Sequence, residues 1–189
     1  MLIVLGIALA MFTTILGAAD RPELPEISYP LAEVKPGELH SQFKDKRRGH
    51  IHQAIDLMRP RGTPILAVTD GTIRKLARSK TGGISIYLFD ETEQYSFFYC
   101  HLDHYAKNLH EGQKVQQGEV IGYVGYTGNA SRAAPHLHFA VSLTGPQRKW
   151  WGETAIDPYP MLLEAAPPET VVGENETPAG AGAGTVKFR

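Results

Sequence analysis

From Pro64 onward the chain alternates short apolar runs with turn-forming residues, a spacing that suits strands rather than helices. Ile65-Leu66-Ala67-Val68-Thr69 is followed by Asp70-Gly71, a pair that predicts a hairpin into Thr72-Ile73-Arg74-Lys75-Leu76-Ala77. Gly82-Gly83 introduces Ile84-Ser85-Ile86-Tyr87-Leu88-Phe89, and the polar stretch 90–93 then turns into an aromatic strand, Tyr95-Ser96-Phe97-Phe98-Tyr99-Cys100, with His101 at its end. Residues 111–125 read as strand, turn and strand, and Pro135-His136-Leu137-His138-Phe139-Ala140-Val141 is a further β-prone run. Regular short strands of this kind predict an all-β fold with an antiparallel core.

The flanks differ. Residues 1–19 are almost wholly apolar, with small Gly17 and Ala19 near a cleavage-like end, and predict an export signal although a positive start is missing. Left uncleaved, nineteen such residues are just long enough to span a membrane, so removal and inner-membrane anchoring both stay open. Residues 20–42 are proline-dotted and irregular, an extended lead-in that drapes over the domain that follows. That domain is expected at 43–165. The tail 166–189, rich in Pro, Ala and Gly, predicts disorder or a tether.

A chain of 189 residues with 42% hydrophobic content is expected to form one medium-sized domain with tails. The net charge of −1 and the lack of a basic block exclude nucleic acid as the evident partner. One cysteine, Cys100, excludes an intrachain disulfide framework and reads as a small buried hydrophobe. Its neighbour His101 is expected on the opposite face of the strand, so the two make no dyad.

The candidate chemistry lies in the histidines. His136 and His138 sit two apart and leave one face of an extended strand together. His52 and Asp56 are four apart in a segment bracketed by Gly49 and Pro60, which favours a loop running into a strand. Together His52, Asp56 and His138 offer two nitrogens and one carboxylate, a three-ligand set that leaves a tetrahedral position open, as expected of a catalytic zinc. His50 is an extra that could compete with His52 for the ligand role; the four-residue spacing to Asp56 decides for His52, and His50 is expected at the rim of the pocket or simply exposed. Gly122, Gly125 and Gly128 precede no helix-forming segment, so they read as a loop and not as a phosphate cradle.

His52-x-x-x-Asp56, Tyr99-Cys100-His101-Leu102 and Pro135-His136-Leu137-His138-Phe139, in that order, resemble the lysostaphin-type (LytM-like) zinc metallopeptidases. Arg61-Gly62-Thr63-Pro64-Ile65, Ala67-Val68-Thr69-Asp70-Gly71-Thr72-Ile73 and the 111–122 stretch fit as well, and the resemblance covers roughly Phe43 to Leu163. One departure is Ala54, where family members usually have glycine. It touches no ligand and is expected to be tolerated.

The resemblance implies a compact β-barrel or sandwich with the metal in a groove walled by the loop before His136. It also implies that His136 and His101 flank the ion. We read His136 as general base and His101 as stabiliser of the transition state, although the sequence leaves the order open. The implied substrate is the peptide stems of bacterial peptidoglycan. With no wall-targeting module this suits a D,D-endopeptidase of the periplasm or envelope, and cleavage of polyglycine bridges stays open. Trp150-Trp151 offers an aromatic edge for sugar or peptide, or packs into the core or as a lid. Two other classes remain. One is a non-catalytic relative that binds wall and activates a separate hydrolase, which would lack ligands. The other is a biotinyl- or lipoyl-like carrier, which would leave the histidines unexplained.

Overall fold

The computed structural model describes residues 24–32, 39–47 and 49–165. Within them the chain forms eleven strands and a short helix, in the order β1 Lys46–Arg47, β2 His50–Ile51, β3 Ile55–Met58, β4 Pro64–Leu66, β5 Gly71–Ser79, β6 Gly83–Asp90, β7 Tyr95–Tyr105, β8 Lys114–Val115, β9 Val120–Val124, β10 His136–Leu143, β11 Thr154–Ile156 and α1 Pro158–Ala165. All pairings are antiparallel. A nine-stranded sheet runs β11-β10-β7-β6-β5-β8, with β3 added to β10 and β9 bridging β4 to β7. The expected all-β architecture is thus the observed one, with a single helix at its end.

Strand β7 explains how the sheet folds over. Its first half pairs with β10, from His138↔Cys100 to Leu143↔Tyr95, and its second half pairs with β9, from Leu102↔Val124 to Tyr105↔Gly122. The change of partner falls at His101, whose φ of 63° is left-handed, beside a shift of register between Leu102 and His104. An irregularity of this type bends its strand and sharpens the twist. The aromatic strand therefore does not end at His101 but kinks there. Ile65, Phe97, Tyr99, Leu102, Ile121, Leu137 and Phe139 fill the enclosed core and are fully buried. Tyr99 spans it, and its hydroxyl accepts from the Val68 N–H at 3.1 Å.

The hairpin expected at Asp70-Gly71 does not form. Strand β4 pairs with β9, while β5 pairs with β6 and β8. Residues 67–70 carry the chain across to a new neighbour instead of reversing it, and the Asp70 carboxylate accepts from the Gln117 N–H at 2.7 Å. The flanks of 111–125 are strands as expected, β8 and β9, but each pairs elsewhere.

Where it is described, the segment before β1 lies against this core. Ile27, Tyr29 and Leu31 are buried, Leu31 bridges to Ile65, and the Leu66 N–H donates to the Pro30 carbonyl at 2.8 Å. It therefore covers the edge of β4 that would otherwise expose unpaired backbone. At the other end Asp157 caps α1, its Oδ1 accepting from the Tyr159 N–H at 3.0 Å, with Pro158 at the first helical position. Residues 1–19 and the tail 166–189 lie outside the described residues. Among the described residues no helix is long and apolar enough to cross a membrane.

Candidate metal centre

Strand parity brings the candidate residues together. His136 and His138 lie on one face of β10, and Asp56 of β3 stands directly opposite His138. His52 reaches the same point from the loop before β3. Three donor atoms then form a near-equilateral triangle: His52 Nε2 lies 3.0 Å from Asp56 Oδ1 and 3.1 Å from His138 Nδ1, and His138 Nδ1 lies 3.0 Å from Asp56 Oδ1.

The second ring nitrogens explain which atoms point inward. His52 Nδ1 faces the Gln42 carbonyl at 3.3 Å, an acceptor only, so it donates and Nε2 keeps its lone pair. Arg47 Nη2 lies equally near that nitrogen, but makes its shorter contact to Asp56 Oδ2, 3.1 Å. Three electron-pair donors this close repel one another unless a cation or protons lie between them. Their spacing approaches the edge of about 3.3 Å expected of a tetrahedron with metal bonds of about 2.0–2.1 Å. The donors fit a divalent metal ion.

Burial alone would raise the Asp56 carboxyl, but its hydrogen bonds and electrostatic interaction with His138 and His52 outweigh it and hold the group far below the ordinary carboxylate range. Burial lowers His138, against the pull of Asp56. Both directions favour the forms that bind metal, an ionised carboxylate and a neutral imidazole.

His136 and His101 flank the triangle, their rings 5.0 Å apart. The Nδ1–H of His136 donates to the Ala134 carbonyl at 2.9 Å, which leaves Nε2 facing inward, 3.9 Å from Asp56 Oδ1. The Nδ1–H of His101 donates to the Thr127 carbonyl at 2.8 Å. Burial pushes His101 down to about 4, although Thr127 opposes it.

The left-handed turn at His101 also corrects the expectation that Cys100 and His101 face apart. Reversing φ breaks the alternation of the strand, so both line the same groove, and Cys100, His101 and His138 have donor atoms within 4.8 Å of one another. Burial pushes the Cys100 thiol far above its usual range, which keeps it un-ionised. Ala54 is fully buried with no left-handed φ, and the left-handed residue of the His52–Asp56 segment is Gln53, at 53°.

All five residues open into a groove of about 720 Å³. His50 stands at its rim, Asn129, Ala130 and Ser131 form one wall, and Tyr87, Phe98 and Trp150 form an aromatic end. Trp150 meets Tyr87 edge-on at 4.7 Å, while Trp151 is 53% exposed. The segment 126–135 contains no helix, consistent with a groove wall and not a phosphate cradle. Sequence reasoning missed Gln42 and Thr127, which hold these histidines by backbone carbonyls and so leave no residue-type signal.

The sequence profile of peptidase family M23 matches residues 50–158. The L-Ala–D-Glu endopeptidase of Bacillus subtilis strain 168 is 29% identical over 159 residues, 80% of this chain and 47% of its own length. The peptidoglycan DD-endopeptidase ShyC of Vibrio cholerae is 33% identical over 94 residues, 50% of this chain and 21% of its own length. The chain thus spans less than half the length of either relative. Among solved structures, the catalytic domain of the antimicrobial peptidase lysostaphin from Staphylococcus simulans superposes with a TM-score of 0.53 at 30% identity, covering 72% of this chain and 91% of that domain. The profile spans more than half of the sequence and includes His52, Asp56, His101, His136 and His138, and the chain belongs to peptidase family M23.

Proposed function

We propose that the chain is a zinc-dependent endopeptidase that hydrolyses peptide cross-links of bacterial peptidoglycan, with His52, Asp56 and His138 as metal ligands. The observation that carries this reading is the triangle of three donor atoms 3.0–3.1 Å apart on the floor of an open groove. When bound, the ion supplies Lewis acidity, polarising the scissile carbonyl and making water acidic enough to ionise near neutral pH.

The protein's own groups do the rest. His136 is the proton acceptor: its Nδ1 is held by Ala134, and its Nε2 faces the centre, 3.9 Å from Asp56 Oδ1. A general base placed this way contributes about 10²–10⁴ in rate. His101 stabilises the oxyanion. With Nδ1–H committed to Thr127, its other ring nitrogen is the one left to face the developing charge. The aromatic end at Tyr87, Phe98 and Trp150 receives the apolar part of the stem.

We assign 43–165 as the peptidase domain, 20–42 as its lead-in, 1–19 as an export signal or anchor and 166–189 as a tail, with the protein acting in the periplasm or envelope. The name of the Vibrio relative supports cleavage of a D,D bond, whereas that of the Bacillus relative specifies a different bond of the same polymer. All three donors and both flanking histidines are present, which argues against a non-catalytic regulator.

Mass analysis of purified peptidoglycan digested with and without a chelator tests the proposal. Soluble fragments with a new amino terminus at the D,D bond, lost on chelation, are expected. Absence of any released fragment would overturn the enzyme reading, and full lysis by His136→Ala would overturn the role of His136.

A further inference from the structure

The carboxylate of Asp56 points where its backbone directs it, and that backbone is held by a side chain from the lead-in. Gln42 is 6% exposed. Its Oε1 accepts from the Asp56 N–H at 3.2 Å, and its Nε2 donates to the Asp56 carbonyl at 3.2 Å. The main-chain carbonyl of the same residue accepts from His52 Nδ1 at 3.3 Å. Gln42 therefore contacts two of the three residues that supply the triangle, at the Asp56 backbone and at His52 Nδ1 and not at the donor atoms themselves.

The geometry of the strand explains why this matters. Strand β3 has β10 along one edge only. A residue in an antiparallel strand sends its N–H and C=O to the same side, and at Asp56 both go to Gln42. Asp56 and His138 consequently form a pair without mutual backbone hydrogen bonds, the kind in which facing side chains come closest. The Gln42 carboxamide, one donor and one acceptor, stands where the peptide group of a further strand would be.

Resting on the assignment of His52 and Asp56 as ligands, we propose that Gln42 is a positioning residue for the metal centre, orienting Asp56 through its carboxamide. The centre then extends beyond the family-matched residues 50–158 into the lead-in. Groups that orient ligands in this way typically change metal affinity by about 10–100-fold when removed.

The test uses the full-length protein and the variants Gln42→Met and Gln42→Glu. Methionine keeps length and bulk but loses both bonds. Glutamate keeps an acceptor for the Asp56 N–H and sets a second acceptor against the Asp56 carbonyl. The Kd for Zn²⁺ is measured by chelator competition, the Co²⁺ form by its absorption spectrum, and the metal-free form by thermal unfolding. An affinity loss of about 10–100-fold with an altered cobalt spectrum in either folded variant is expected. A merely structural role would lower metal-free stability and leave both metal readouts unchanged, and that result would overturn the proposal. Should Gln42→Met not fold, Gln42→Glu decides alone. Failure of the unsubstituted protein to bind Zn²⁺ would overturn the ligand assignment and this proposal together, whereas unchanged affinity in the variants overturns the role of Gln42 alone.

Discussion

Replacing Gly128 by alanine isolates what the loop before β10 does for His101, provided that Gly118→Ala is measured beside it. Both glycines are left-handed, with φ of 77° and 82°. A methyl built on Gly118 meets nothing within 4 Å, so that variant carries only the conformational penalty, about 1–2 kcal/mol. A methyl on Gly128 runs into the Thr81 carbonyl oxygen and the Gly83 nitrogen, and lies 2.8 Å from the Gly82 carbonyl carbon. All three are backbone atoms of the β5–β6 turn, which also accepts from the Asn129 and His101 N–H groups. They cannot yield by rotating a side chain, so overpacking adds about 1–3 kcal/mol. The sum is about 2–5 kcal/mol for Gly128→Ala against about 1–2 for Gly118→Ala. At about 2–4 °C per kcal/mol for a chain of this size, unfolding temperatures should fall by about 4–20 °C and about 2–8 °C. Relief of the clash moves Thr127, whose carbonyl fixes the His101 ring at 2.8 Å and whose hydroxyl donates to the Leu102 carbonyl at 2.6 Å. Displacement on the order of 1 Å costs about 100-fold in rate. Thermal scans and clearing of a peptidoglycan suspension read the two effects. Equal melting and equal lysis in the two variants would show that the loop does not hold His101 in place.

Further predictions concern the ion, the core and the thiol. Saturating Zn²⁺ should stabilise the protein by about 2.7 kcal/mol at a free concentration about 100 times Kd, a shift absent in His138→Ala. A metal-dependent shift that survives this substitution would place the ion elsewhere. Tyr99→Phe leaves the buried Val68 N–H without its acceptor and should cost about 1–3 kcal/mol in denaturant unfolding, with lysis per folded molecule unchanged; an unmoved midpoint would mean that the N–H finds another partner. Cys100→Ala should retain activity, because the thiol is un-ionised; its loss would assign that side chain a role in the reaction.

Much of the centre was legible because strand geometry converts sequence spacing directly into direction. His136 and His138 share a face by parity alone, and the spacing of His52 and Asp56 is short enough to survive an irregular path between them. What stayed hidden depends on non-local pairing or on φ. The choice of β9 as partner for β4 joins residues about 57 apart in sequence and overrides a favourable local turn signal at Asp70-Gly71. The left-handed φ at His101 has no residue-type signature, yet it decides which way Cys100 and His101 face. Helix α1 is eight residues long, too short to display a period, although Asp157-Pro158 marks its start. Gln42 looks like any polar residue until Asp56, fourteen positions later, folds back against it.

Strand β10 is hemmed in on both sides, by β3 over His136–Phe139 and by β7 from His138 onward. The imidazole of His138, where the two flanks overlap, cannot drift unless hydrogen bonds on both rupture at once. Amide protons near Leu137 and Phe139 should accordingly exchange with solvent only when the whole molecule opens. Heat or denaturant should then extinguish hydrolysis and melt the sheet in a single step, with no intermediate heat-softened form that keeps its shape but has lost its chemistry.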